Sequence, residues 1–409
     1  MDNTREMFLE ILKAALAGKK IAPEREISAD EWEKMVRLAG IHNVLPLFLE
    51  AVRLNPSFSG TPFPAAVKRQ VMQQVIAQTV RTNEFLELNQ HLQDAGVRPL
   101  VVKGIVCRNL YPQPDNRPSS DEDVLIPPEM FNLCHPVLTE FGMGTESDHD
   151  TYEVPYRKTD GMLYIELHKH LFPPDSDAYG DLNRFFEGVH DRAIPEEIQG
   201  RTVYTLGYTD HLFYLICHAF KHFLHSGFGI RQVCDIVLYA NRYGQQVDWS
   251  QVLENCRAIR AEKFAAALFQ IGSRYLTFDP HAAAYPDVWQ DLPVDELPLL
   301  NDLLSAGLYG SADMSRKHSS SITLDAVSSE KQGRKSKNAV LLSAFPPASK
   351  LEGRYPYLKK HPYLLPVAWS SRLWNYARET RNSQDNTASD ALKIGNERTA
   401  LLKIYGILK

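Results

Sequence analysis

Asn116–Ile126 reads NRPSSDEDVLI: three acids, Asp121, Glu122 and Asp123, run directly into Val124, Leu125 and Ile126. Carboxylates belong in water and an apolar run belongs in a core, so the join is either a solvated turn before a strand or a metal site at a strand's edge. In a strand, residues two apart face the same way, so Asp121 and Asp123 point together while Glu122 points away. Two carboxylates on one face repel unless a cation lies between them. Mg2+ suits that place, since it takes carboxylate, water and phosphate oxygens at about 2.0–2.1 Å. D-x-D is also common in surface turns, so its surroundings must decide.

Upstream, VRPLVVKG (97–104) changes the period from helical to extended. Leu100, Val101 and Val102 form a short strand ending at Lys103-Gly104, where a glycine lets backbone N–H groups approach a phosphate. Arg117, four residues before Asp121, carries a planar fork suited to phosphate oxygens. Downstream, a helix over 129–141 precedes two strands, TYEVPYRK and GMLYIELHKHL, joined at Asp160-Gly161. Glu166 sits between Ile165 and Leu167 in the second. It faces either solvent, as alternation ordinarily gives, or inward, where it needs a partner. His168 shares its face and would orient it or contact phosphate; a solvated strand end explains it as well.

The flanks are helical. Residues 1–95 read as an N-terminal helical region, with a capping box at Ser28 and Glu31 and a closing Gly96. An α+β core spans 96–205 and a second helical domain 206–310. Residues 311–338, rich in Ser, Lys and Arg, read as a mobile basic loop, and 339–409 as a C-terminal helical extension. In the second helical domain, His218 and His222 share a helix face but lack the acid of H-E-x-x-H, so packing or lining of the cleft is expected rather than zinc binding. Arg231 and Asp235, also four apart, read as a modest surface pair. The tail RYPYLKKHPYLLPVAW is expected to pack on the helical domain.

With 409 residues, 44% hydrophobic and 23% charged, the chain is globular with several cores. A net charge of −5 lacks the basic field of a protein holding long nucleic acid. Five scattered cysteines suit free thiols. With no signal peptide and no apolar run of the roughly 18 residues that cross a bilayer, a cytoplasmic protein is expected.

Together, VVKG, YPQPDNRPSSDEDVLI, a helix ending in EFGM, and YIELHKHL resemble the uncharacterised nucleotidyltransferase family of the DNA polymerase β-like superfamily. Ile or Leu is more usual there than Glu122, which would expose an extra charge beside the site. More weakly, the segments around His218, His222, Arg231 and Asp235 and the tail resemble the family's later helices, where Arg231 and Asp235 would fasten the helical domain to the core. The resemblance implies a mixed sheet with helices on one side and catalysis by two Mg2+ or Mn2+ ions. Asp121 and Asp123 would bridge both ions and Glu166 would share one. The superfamily's usual serine is absent at Lys103-Gly104, so Lys103, with Arg117, would supply phosphate contacts. The implied reaction moves a nucleoside monophosphate from an NTP to a hydroxyl of an unidentified acceptor: a small molecule, peptide, glycan or protein. Alternatives are transfer from a nucleotide sugar, since D-x-D also serves there, and a nucleotide-binding protein without activity.

Overall fold

The computed structural model describes residues 2–21, 26–308, 314–333, 355–381 and 388–409, with Phe345, Ala348 and Leu351 between them. Five helices come first: α1 (Asn3–Leu16), α2 (Ala29–Ile41), α3 (Leu45–Val52), α4 (Pro56–Ser59) and the long α5 (Pro64–Asp94). Ser28 caps α2 as expected, with Glu31 bonding back to its N–H at 3.0 Å. Gly96, at φ 83°, follows the end of α5.

The core that follows is a mixed α+β unit with a seven-stranded sheet in the order β3-β4-β5-β2-β1-β7-β6. Its strands are β1 (Leu100–Val102), β2 (Glu122–Leu125), β3 (Met143–Gly144), β4 (Glu153–Lys158), β5 (Tyr164–His168), β6 (Ile194–Ile198) and β7 (Arg201–Thr205). β2 runs antiparallel to β1 and parallel to β5. Two short helical elements interrupt it, α6 (Gly104–Arg108) and α7 (Phe131–Glu140). The β6–β7 hairpin was not foreseen. Its turn, Gln199-Gly200, has φ of 52° and 73°, the left-handed pair that a tight hairpin requires.

Strand alternation divides the sheet between two cores. Val101, Val124, Ile126, Ile165 and Leu167 pack on the C-terminal half of α5 and on α7. Leu100, Val102 and Leu125 face the larger core, shared with the N-terminal helices and with α8 (Tyr208–His225) and α9 (Ile230–Tyr243). Further helices complete this side: α10 (Trp249–Ala258), α11 (Glu262–Tyr275), α12 (Asp287–Gln290) and α13 (Leu297–Ala306). Helices therefore lie against both faces rather than one. All five cysteines are free and buried. Among the described residues no helix is long and apolar enough to cross a membrane.

Residues 314–331, expected as part of a mobile loop, form a helix, α14 (Met314–Lys331). Its polar side chains are used against the end of α8: Thr323 Oγ1 donates to the Leu224 carbonyl at 2.7 Å and Arg316 Nε to the Ser226 carbonyl at 2.7 Å. Carbonyls in the last turn of a helix have no partner within the helix itself. Arg334, Lys335 and Lys337 lie outside the described residues. The tail divides. Leu401, Leu402 and Tyr405 enter the large core, but Leu351, Leu358 and Ala368 make a small cluster of their own with Trp369, and Trp374 is exposed. The segment RYPYLKKHPYLLPVAW, expected to pack on the helical domain, thus contributes to a separate cluster, while the end of the chain, from Leu401, enters the large core.

His42 ties the N-terminal helices to the rest. Its Nδ1 accepts from the Ile230 N–H and its Nε2 donates to the Leu304 carbonyl, both at 3.4 Å. Protonation would set two N–H groups against each other, and burial, outweighing the bond to Leu304, lowers the pKa to about 4. The unfolded histidine titrates near 6.5, so stability is full above that pH and declines as pH falls toward 4, by about 3 kcal/mol for this group. Urea midpoints measured across that range should fall in the wild type and fall less in His42→Gln.

Candidate active site

Three adjacent strands bring the site together. Val102 pairs with Asp123 across β1 and β2, and Asp123 pairs with Glu166 across β2 and β5. Alternation turns Asp123, Glu166 and His168 onto one face. There the buried Asp123 meets His168 Nε2 at 3.1 Å and Lys103 Nζ at 2.9 Å. His168 Nε2 is also 3.7 Å from Glu166. One ligand atom from each of Asp123, Glu166 and His168 lies within 4.8 Å of the others. Asp121 stands just ahead of β2, half-buried, its Oδ1 accepting from Ser120 Oγ at 3.3 Å.

The charges are strongly coupled. Burial, with the Asp123 carboxylate beside it, pushes the Asp121 carboxyl up to about 6. Burial works against charge on Asp123 too, but Lys103 and His168 outweigh it and hold its carboxyl well below the usual range. Burial likewise opposes charge on His168, yet its bonds to Asp123 and Glu166 raise it to about 9. Crowded carboxylates on one sheet face, one of them resisting ionisation, form an oxygen-rich donor set that fits a hard divalent cation.

Lys103 is positioned by a network that the sequence did not disclose. Its backbone has φ 62°, left-handed and costly for a residue with a side chain. Its N–H donates to His211 Nε2 at 3.2 Å, His211 Nδ1 donates to Thr205 Oγ1 at 3.1 Å, and Thr205 donates to the Val101 carbonyl at 2.6 Å. Burial holds His211 down to about 3, so the neutral tautomer this chain needs persists. The only sequence cue was a histidine in an apolar helical run. Lys103 Nζ also lies 3.0 Å from His218 Nε2, which is 3.2 Å from His222 Nε2. Burial, then the Lys103 charge, lowers both His218 and Lys221. The α8 histidines thus hydrogen-bond with one another and with Lys103, beside Asp123.

Four expectations are corrected. Arg117 does not face the site; it is buried in a bidentate pair with Asp235, Nε to Oδ1 at 2.8 Å and Nη2 to Oδ2 at 2.6 Å. A carboxylate offering two oxygens in one plane matches the guanidinium fork. The pair fastens α9 to the core, and Arg231 does the same by donating to the Pro118 carbonyl, as the resemblance implied for both, so the two are buried anchors rather than an exposed i,i+4 pair. Glu122 is not an exposed charge: it is buried, 2.6 Å from Arg108 Nη2, and accepts from the Ile105 N–H at 2.7 Å. Gly104 is required for that contact, since a Cβ there would sit 1.9 Å from Glu122 Oε2. The room it leaves is filled by a carboxylate rather than open to phosphate.

Residues 28–277, more than half of the chain, match the model of a family described as uncharacterised nucleotidyltransferase. Among solved structures, an antigenic nucleotidyltransferase-like protein from Paracoccidioides brasiliensis is similar at 16% identity and a TM-score of 0.32, covering 50% of this chain and 95% of that one. No curated protein matches the chain.

Proposed function

The chain belongs to the uncharacterised nucleotidyltransferase family, and we propose that it moves a nucleoside monophosphate from an NTP to a hydroxyl of a second substrate, with Asp121, Asp123 and Glu166 holding Mg2+ or Mn2+. The observation that carries this reading is the direct register of Asp123 with Glu166, two carboxylates side by side on one sheet face with Asp121 at its edge. Divalent ions bound there would neutralise phosphate charge and favour in-line displacement.

The chain's own groups do the rest. Lys103, locked by the His211 chain, and Lys221 bring positive charge to the start of β2, where a polyphosphate would lie. The acceptor oxygen bonds to the α-phosphorus as the bond to the bridging oxygen breaks, and pyrophosphate leaves with that electron pair. The hydroxyl proton passes to the half-buried Glu166 carboxylate, which is open enough to release it to water. His168 holds Asp123 and Glu166 in place.

A second reading, nucleotide binding without chemistry, draws on the Lys103 ammonium 2.9 Å from Asp123, which already places a cation there. Calorimetry with the four NTPs separates the two. Transfer predicts that Mg2+ tightens NTP binding by at least about tenfold, as expected when an ion joins carboxylates and phosphates. Binding indifferent to Mg2+ supports the second reading, and no binding removes both. Release of nucleoside diphosphate from UDP-sugars, rather than pyrophosphate from NTP, would point to sugar transfer.

A further inference from the structure

On the face that carries Asp123 and His168, the sheet continues one pleat further to Leu125, which pairs with His168. There, past the C-terminal ends of β2 and β5, lies a cavity of about 310 Å3. Its floor is apolar, from Leu125, Leu171 and Phe186, and its rim carries Lys169, Arg184 and His170 against one acid, Glu187. Lys103 and Asp121 stand at the other end of β2. Along this strand the order is therefore cationic cluster, carboxylates, cavity. With a strand rise of about 3.4 Å per residue, Leu125 is about 7 Å from Asp123, within reach of one small molecule.

The cavity wall is held in place. Asn183, in the 3-10 helix Gly180–Phe186, accepts from the Phe172 N–H at 3.1 Å and donates to the Phe172 carbonyl at 2.8 Å. Gly180 lets that helix close on the preceding turn, because a Cβ would lie 2.6 Å from the Pro174 carbonyl oxygen. Lys169, on the rim, is held by its Nζ, which donates to the His149 carbonyl above the Phe131 ring. Arg184, which lines the cavity, is exposed and lays its guanidinium over the neighbouring Phe185 ring. Such a site selects a compact body, an apolar middle and an anionic end.

We infer that this cavity is the acceptor subsite, and that the acceptor is a small hydroxylated acid whose carboxylate or phosphate meets Arg184 while its hydroxyl points back to Glu166. The acceptor role rests on the transfer reading above. The cavity's preference for anions does not.

The test uses the full chain and three probes followed by calorimetry: 4-hydroxyphenylacetate, 4-(hydroxymethyl)phenyl phosphate and the neutral 4-hydroxyphenethyl alcohol. At least one anion should bind at least about tenfold more tightly than the alcohol, the gain of a charge-assisted hydrogen bond. The comparison of the two anions shows which group is taken. Arg184→Glu should remove that gain while leaving the thermal midpoint and Mg2+-NTP binding unchanged, since Arg184 is exposed and apart from the carboxylates. Equal affinity for all three probes, no binding of any, or anion binding that Arg184→Glu leaves intact would overturn the subsite. NTP binding without probe binding removes the subsite alone. Anion binding by a chain that binds no NTP keeps the anion site and overturns its acceptor role.

Discussion

Asp123→Asn is expected to lower metal-dependent NTP turnover by at least about 100-fold, more than loss of an outer-shell partner usually costs a metal site. The substitution is nearly isosteric, so it removes charge and one acceptor without opening a cavity. Its effect should be large because Asp123 touches both Lys103 and His168 while standing in register with Glu166. Asparagine cannot offset the ammonium of Lys103, and it gives a divalent ion a neutral oxygen in place of a charged one. The loss should appear in kcat/KM for NTP and in Mg2+-dependent thermal stabilisation by NTP, with Glu166→Gln as a parallel case. Arg184→Glu, which alters the cavity rim, should keep the NTP-dependent stabilisation. If Asp123→Asn turns over NTP as the wild type does, the carboxylates are not the metal site.

The features legible in the sequence were those set by local periodicity. Period-two alternation turned Glu122 away from Asp123, and the Asp121 carboxyl lies near enough to feel the Asp123 charge. The same rule gave Glu166 and His168 one face, and the capping box and Gly96 marked helix ends. What was not legible depends on partners far away in the chain. Arg117 looked like a phosphate ligand because a lone arginine before an acidic motif has no visible partner; Asp235, on a helix of another region, claims it. Glu122 looked exposed because Arg108 and the gap at Gly104 are assembled only when β1 and β2 pair. Residues 314–331 looked mobile because their composition is polar, yet that polarity satisfies carbonyls at the end of α8. Composition reports how much apolar surface a segment can bury, not whether another element supplies hydrogen-bond partners.

Arg117→Met should destabilise the fold by about 3–5 kcal/mol, the usual cost of leaving one member of a buried ion pair alone. Asp235 accepts two bonds from Arg117 and a third from Tyr111 Oη at 2.7 Å, all away from solvent. Burial opposes its charge, and the Arg117 guanidinium outweighs that and holds the carboxyl below its ordinary range. That contribution is fully present above the unfolded carboxylate pKa and is lost as pH falls through the lower folded value. Without Arg117 the same burial turns against the carboxylate, so folding must either desolvate a charge or protonate it. Asp235→Leu alone should cost a similar amount, because Arg117 then carries an unpaired buried charge. The double variant Arg117→Met/Asp235→Leu should cost clearly less than the sum of the two, since neither charge remains to be buried. Urea unfolding of the four proteins at neutral pH measures all three differences. Additive losses, or a single-variant loss below about 1 kcal/mol, the range of exposed pairs, would show that this contact does not join α9 to the sheet energetically. A large, non-additive loss would show that this buried pair couples α9 to the segment before β2, although the two residues lie 118 positions apart in the chain.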